Sequence, residues 1–82
     1  MWYVYIIKSE KVRWYYVGST NRLSERLNEH NKGLVLYTKH YLPFTIVFTI
    51  EFDSEKEARS YERMLKDKRI EKEKIIKAIE NK

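Results

Sequence analysis

Two runs of aromatic and β-branched residues open the chain, "WYVYIIK" from Trp2 to Lys8 and "RWYYVG" from Arg13 to Gly18, with only the polar link "SEKV" between them. Both have the composition of strands, and so short a link holds them together as an antiparallel hairpin. Side chains alternate along a strand, so Trp2, Val4 and Ile6 share one side while Tyr3, Tyr5 and Ile7 share the other. If Lys8 pairs with Arg13, Tyr5 falls directly opposite Tyr16. Val4, Ile6, Tyr15 and Val17 then suffice for the core face, which leaves Tyr5 and Tyr16 together on the opposite one. Of the two adjacent tyrosines, Tyr15 is expected in the core and Tyr16 in a functional role.

From Thr20 to Asn31 the pattern becomes helical. Ser19, Thr20 and Asn21 are competent N-caps, and Gly33 is a natural stop just beyond. Leu23 and Leu27 form an apolar seam, while Arg22, Arg26 and His30 recur every fourth residue on a neighbouring stripe. A loop holding the only proline, Pro43, leads to "FTIVFTIEF" from Phe44 to Phe52, which reads as a third strand. Ser54 and Glu57 have the form of a capping box, and Ala58, Tyr61, Met64 and Leu65 follow at helical spacing. A further helical stretch from Glu71 to Glu80 sets Ile75, Ile76 and Ile79 on one side. The order β-β-α-β-α-α predicts an α+β fold, a small three-stranded antiparallel sheet flanked by helices. Eighty-two residues suffice for one core, so 1–82 is read as a single domain.

Composition removes several chemistries. Without cysteine, neither a disulfide scaffold nor a cysteine zinc site can form. The two histidines, His30 and His40, lack the spacing of a zinc-protease helix, and there is no Gly-x-Ser-x-Gly elbow. Two glycines cannot make a glycine-rich phosphate loop. No apolar run approaches the ~20 residues of a membrane span, and no secretory leader is evident; a cytoplasmic protein without a membrane partner is expected. Seventeen Lys and Arg against twelve Asp and Glu give a net charge of +5, which favours a polyanionic partner. Tyrosine, arginine, histidine and carboxylate chemistry remain. Glu62 lies four after Ala58 and three before Leu65, bordering the apolar stripe of its helix. A carboxylate there needs a partner, for which a metal ion, Arg26 or another basic residue would serve.

"YVYI" at Tyr3 to Ile6, followed by "YVG" at Tyr16 to Gly18, resembles the paired motif of the GIY-YIG nuclease superfamily. The spacing of the two tyrosines, an arginine ten residues after the second, and a glutamate within "EARSYERMLK" complete the resemblance. It covers essentially the whole chain and is nearest to short standalone bacterial members, which are similar to the nuclease domain of the excision-repair endonuclease UvrC. Two positions depart from the pattern: Tyr3 stands where the first motif has glycine, and Ser19 where some branches have lysine.

The resemblance implies a catalytic set of Tyr5, Tyr16, Arg26, His30 and Glu62, with Gly18 as the motif glycine. It also implies a single Mg²⁺ or Mn²⁺ ion on Glu62. Those roles agree with the chemistry of the side chains. Phosphodiester cleavage needs an activated water, a clamp on the phosphate and help for the leaving oxygen. One carboxylate holds Mg²⁺ when waters and substrate phosphate complete the octahedron. Arg26 offers a permanently charged planar fork; Arg22 and the loop residue Lys39 are further candidate contacts to DNA phosphates. A tyrosine near a metal and Arg26 would have its pKa lowered from ~10 towards that of a usable base. His30, one turn from Arg26, would relay protons or touch phosphate.

The resulting expectation is a metal-dependent DNA endonuclease, structure-selective and acting in repair or recombination, recruited by a protein partner for lack of a second DNA-binding domain. The alternative is a non-catalytic nucleic-acid-binding module that retains the fold.

Overall fold

The computed structural model describes residues 1–81. Its elements are β1 (Trp2–Ser9), β2 (Tyr15–Thr20), α1 (Leu23–Asn31), β3 (Phe44–Phe52), α2 (Glu55–Asp67) and α3 (Arg69–Glu80). Both strand pairs are antiparallel in the order β2-β1-β3, so the first strand is central and β2 is an edge. This is the α+β arrangement expected from the sequence, and the third strand has the expected bounds.

The hairpin register differs from the expected one by two residues. Lys8 pairs with Tyr15, Ile7 with Tyr16, and Tyr5 with Gly18. The cause is the turn, which runs longer than "SEKV". The Ser9 amide donates to the Trp14 carbonyl at 2.9 Å. The Ser9 hydroxyl accepts from the amides of Lys11 and Val12 and donates to the Tyr41 carbonyl at 2.6 Å. A two-residue shift preserves the side-chain faces, whereas a one-residue shift would have exchanged them. Tyr5 and Tyr16 therefore still share a face, as diagonal rather than direct neighbours.

The two faces of the sheet carry separate cores. Val4, Ile6, Tyr15 and Val17 are buried with Ala58 and Leu65 of α2 and Ile76 of α3. Tyr5, Ile7 and Phe44 are buried on the opposite face beneath Leu23 and Leu27 of α1, with Trp14 stacked on Tyr41 at 4.2 Å between ring centroids. Each fully buried aliphatic side chain contributes roughly 1.5–3 kcal/mol.

Helix starts also move. Thr20 remains in β2, paired with Tyr3, and its hydroxyl accepts from the Arg22 amide at 3.0 Å. None of Ser19, Thr20 or Asn21 caps α1, which begins after Arg22 without a side-chain cap. Sheet pairing takes Ser19 and Thr20 before the helix can use them. Gly33 does end that helix region, with φ of 76°. The N-cap half of the capping box forms: the Ser54 hydroxyl accepts from the Glu57 amide at 3.2 Å, while the Glu57 carboxylate accepts from that hydroxyl at 3.0 Å rather than from the Ser54 amide. The last helix starts at Arg69 rather than Glu71.

Replacing Ser9 by alanine removes the acceptor of two turn amides and the link to Tyr41. Urea denaturation is expected to register a loss of about 1–3 kcal/mol.

Candidate active site

Tyr5 and Gly18 face one another across the hairpin. The Tyr5 side chain, 2% exposed, lies over the glycine. A Cβ on residue 18 would stand 2.4 Å from the Tyr5 hydroxyl oxygen and 2.5 Å from its Cζ. Glycine is required here for close approach, not for an unusual φ. The missing side chain lets the Tyr5 hydroxyl project across the edge strand.

That hydroxyl meets His30. Tyr5 Oη and His30 Nε2 are 2.8 Å apart, and His30 Nδ1 is 2.8 Å from the Thr38 hydroxyl. The Thr38 hydroxyl in turn donates to the Val35 carbonyl at 3.4 Å. His30 and Thr38 have no exposed surface. Burial, with the nearby charge of Arg26, lowers the His30 pKa to about 4, so the ring is neutral at pH 7. Burial also pushes the Tyr5 phenol up to about 12, against the pull of Arg26. The phenol is therefore a donor, Nε2 accepts its proton, and Nδ1–H donates to Thr38. Both findings depart from the sequence reading. Tyr5 moves away from being a base in the protein alone, and His30 is sealed from direct contact with phosphate. Periodicity set His30 on a stripe with Arg26, but the stripe borders the sheet and its last member turns inward.

Glu62 reaches the site from the other face. Ser19 pairs with Val4 and so points towards α2; its hydroxyl donates to Glu62 Oε1. Lys66 donates to Glu62 Oε2 at 2.6 Å and sets its ammonium 5.5 Å from the centre of the Tyr16 ring. Glu62 does not meet Arg26 directly. Arg26 instead donates to Glu29 at 2.8 Å, and Arg22 lies 3.6 Å from the same carboxylate. Arg26 and Glu62 converge on Tyr5: the arginine charge favours its ionised form and the glutamate charge opposes it. Tyr16, half-buried, packs edge-on to His30 at 5.4 Å between ring centroids. Tyr5, Tyr16, Gly18, Arg26, His30 and Glu62 thus gather around one stretch of β2. The loop residue Lys39 is exposed and makes no side-chain hydrogen bond or ion pair with them among the described residues.

Three neighbours escaped the sequence reading. Lys66 could have been found, since glutamate followed four residues later by lysine is a helical ion-pair spacing. Ser19 was noticed as a candidate cap and as a departure from the family pattern, and its link to Glu62 exists because α2 crosses the edge strand. Thr38 carries no local signal at all. A cleft of about 590 Å³ lies elsewhere, against α3 and Arg13, and holds none of the six residues.

For a divalent cation the donor set is one carboxylate and neighbouring hydroxyls, hard oxygen ligands of the kind Mg²⁺ takes. No group of three or more acidic, histidine or cysteine side chains gathers among the described residues. Glu62 fits a single ion with most of its shell open, provided that Lys66 yields Oε2. No helix among them is long and apolar enough to cross a membrane.

Comparison with known proteins agrees with the geometry. The model of the GIY-YIG catalytic domain matches residues 1–75. The chain is 38% identical over 61 residues to the UPF0213 protein YsiG of Lactococcus lactis, covering 73% of this chain and 59% of that protein. It is 36% identical over 76 residues to a UPF0213 protein of Streptococcus pneumoniae, covering 90% and 76%. The solution structure of the UPF0213 protein BH0048 from Bacillus halodurans superposes with a TM-score of 0.58 at 32% identity, covering 95% of this chain and 85% of that one.

A methyl group at residue 18 has no room unless Tyr5 withdraws. Gly18→Ala is expected to cost about 1–3 kcal/mol in urea denaturation and to shift the His30 ring resonances. The low pKa of His30 has a separate signature. The unfolded chain protonates this residue near 6.5 and the folded chain only near 4, so the unfolded state binds more protons as pH drops below 6.5. Stability should therefore fall from pH 6.5 towards 4. The carboxylates of Glu29 and Glu80, both held below the usual range, add to the decline as the unfolded chain's carboxylates protonate, below about pH 5.5. His30→Gln is expected to flatten the decline between pH 6.5 and about 5.5.

Proposed function

Because this chain belongs to the GIY-YIG family, we propose that it is a metal-dependent endonuclease that hydrolyses phosphodiester bonds in DNA. The observation that carries this reading is the set built around the Tyr5 hydroxyl at the gap left by Gly18: His30 is bonded to it from the helix that carries Arg26, and Glu62 is tied to Ser19, the residue after that glycine. Arg26 and Glu62 are each held by an ion-pair partner, Glu29 and Lys66, that a phosphate or a cation would displace in this reading.

In this reading the two tyrosines divide the work. Tyr5 stays protonated and fixes His30 by donating to Nε2. Tyr16, the more open phenol, is the residue that would serve as general base, acting as its phenolate and returning to the phenol as it takes a proton from the attacking water. Arg26 turns from Glu29 to the scissile phosphate, where its fork matches the equatorial oxygens. Glu62 is the residue that would hold Mg²⁺ or Mn²⁺, with Lys66 released to neutralise phosphate charge. The ion, when bound, supplies charge neutralisation at the phosphate. Domains of this family are generally divalent-metal dependent.

A domain of this size with a net charge of +5 holds DNA mainly through phosphates. Unaided affinity should be weak and salt-sensitive, which supports recruitment by a partner and selection by DNA structure rather than by sequence. Repair or recombination intermediates are the substrates this reading favours.

Single-stranded, nicked, flapped and branched DNA, incubated with Mg²⁺ or Mn²⁺, provide the test. Metal-dependent cleavage is expected, and Glu62→Ala and Arg26→Ala should each reduce it by about 10²–10³-fold. If the wild type cuts none of these substrates while salt-sensitive binding survives in both variants, the chain is a binding module and the nuclease reading fails.

A further inference from the structure

We propose that the outer face of α2 is the track along which the DNA backbone approaches the site. The inference rests on the nuclease reading for the identity of the polyanion, but its geometry is independent of the chemistry.

Four basic residues of α2, Lys56, Arg59, Arg63 and Lys66, are all exposed. At 3.6 residues per turn they fall within a sector of about 80°, and Glu62 lies only about 40° beyond Lys66. Along the helix Glu62 stands between Arg59 and Arg63, so the stripe runs alongside the site. Ten residues of helix extend about 15 Å. One strand of B-DNA rises ~3.4 Å per phosphate along the duplex axis and travels about twice that along its winding backbone, so the stripe spans about two to three phosphates.

The residues also enclose space. A cleft of about 340 Å³ is lined by Arg59, Glu62, Arg63, Lys66 and Asp67. A second, about 260 Å³, is lined by Lys56, Arg59, Ser60 and Arg63. The two share Arg59 and Arg63, and Glu62 lines the first, so the basic surface is continuous with the candidate metal ligand.

Alignment, rather than charge balance, separates this face from the other basic helix. Arg59 is ion-paired with Glu55 at 2.6 Å and lies over the Trp2 ring, and Lys66 is held by Glu62. Lys56 and Arg63 have no ion-pair partner among the described residues. On α3 two of the four basic residues are paired, Arg69 with Glu73 at 3.9 Å and Lys74 with Glu71 at 3.5 Å, but the four are scattered over about 200° of the helix. A helix face with its cations in line, alongside a carboxylate, is complementary to a phosphate chain. Cations scattered around a helix, as on α3, are not.

The test is anisotropy of labelled duplex and branched DNA with the full chain in EDTA, where no cleavage occurs, over a salt series. The variants are Lys56→Glu with Arg63→Glu, and Lys74→Glu with Lys77→Glu as a control that changes net charge equally. The stripe pair is expected to weaken binding more than 10-fold and to reduce the slope of log K against log salt by about 1.8. The control pair should weaken it less than 3-fold with the slope retained. If charge reversal unfolds the chain, Lys56→Gln with Arg63→Gln must lower the slope by the same amount. Equal losses from both surfaces, an unchanged slope in the stripe variant, or no DNA binding by the wild type would each overturn the proposal. A wild type that binds through this stripe yet never cleaves supports the track while refuting the nuclease.

Discussion

The Tyr5 ring occupies the volume that a side chain at residue 18 would need, and this one close approach organises the rest of the site. It ties the hairpin register to the absence of a single Cβ. With the phenol lying across the edge strand, its hydroxyl is brought to His30 on one side and within reach of the charge of Glu62 on the other. Gly18 therefore does more than relieve a turn. It leaves a gap in β2 that the Tyr5 side chain crosses to reach His30.

Around that point the molecule is divided into a neutral interior and a charged rim. Inside, Tyr5, His30 and Thr38 form a buried chain of hydrogen bonds in which all three groups are uncharged at neutral pH. Burial costs little when every polar atom has a partner, and no buried side-chain polar atom among the described residues lacks one. At the rim, Arg26 is balanced by Glu29 and Glu62 by Lys66. Both pairs lie at the surface, where solvent screening makes an ion pair weak, so in the nuclease reading a phosphate or a cation would displace the partner at little cost.

Strand and helix content followed from local pattern. Phe44 to Phe52 formed the expected strand, and Ser54 formed the expected cap. Parity of alternation correctly separated Tyr15 from Tyr16 even though the pairing itself was displaced by two residues, because faces depend only on whether a shift is odd or even. The displacement came from Ser9, whose hydroxyl organises a longer turn through partners including Tyr41, thirty-two residues away. Thr38 was invisible for a related reason. Its role arises from a loop folding back on α1, and no periodicity describes a loop.

By itself the sequence determined the order of elements, the two apolar faces, the positive charge, and the ordered set of tyrosine, glycine, arginine, histidine and glutamate that marks the family. Only tertiary structure decided which of those residues share a point in space and in what state of ionisation. His30 and Arg26 are adjacent on one helix, yet one is buried and neutral while the other stays charged at the rim. Glu62 was expected to need a partner and found Ser19 and Lys66, not Arg26. The physical reason is that spacing along a helix or strand fixes direction only relative to that element. Desolvation and Coulomb interactions, which set charge state, depend on what another element brings within a few ångströms.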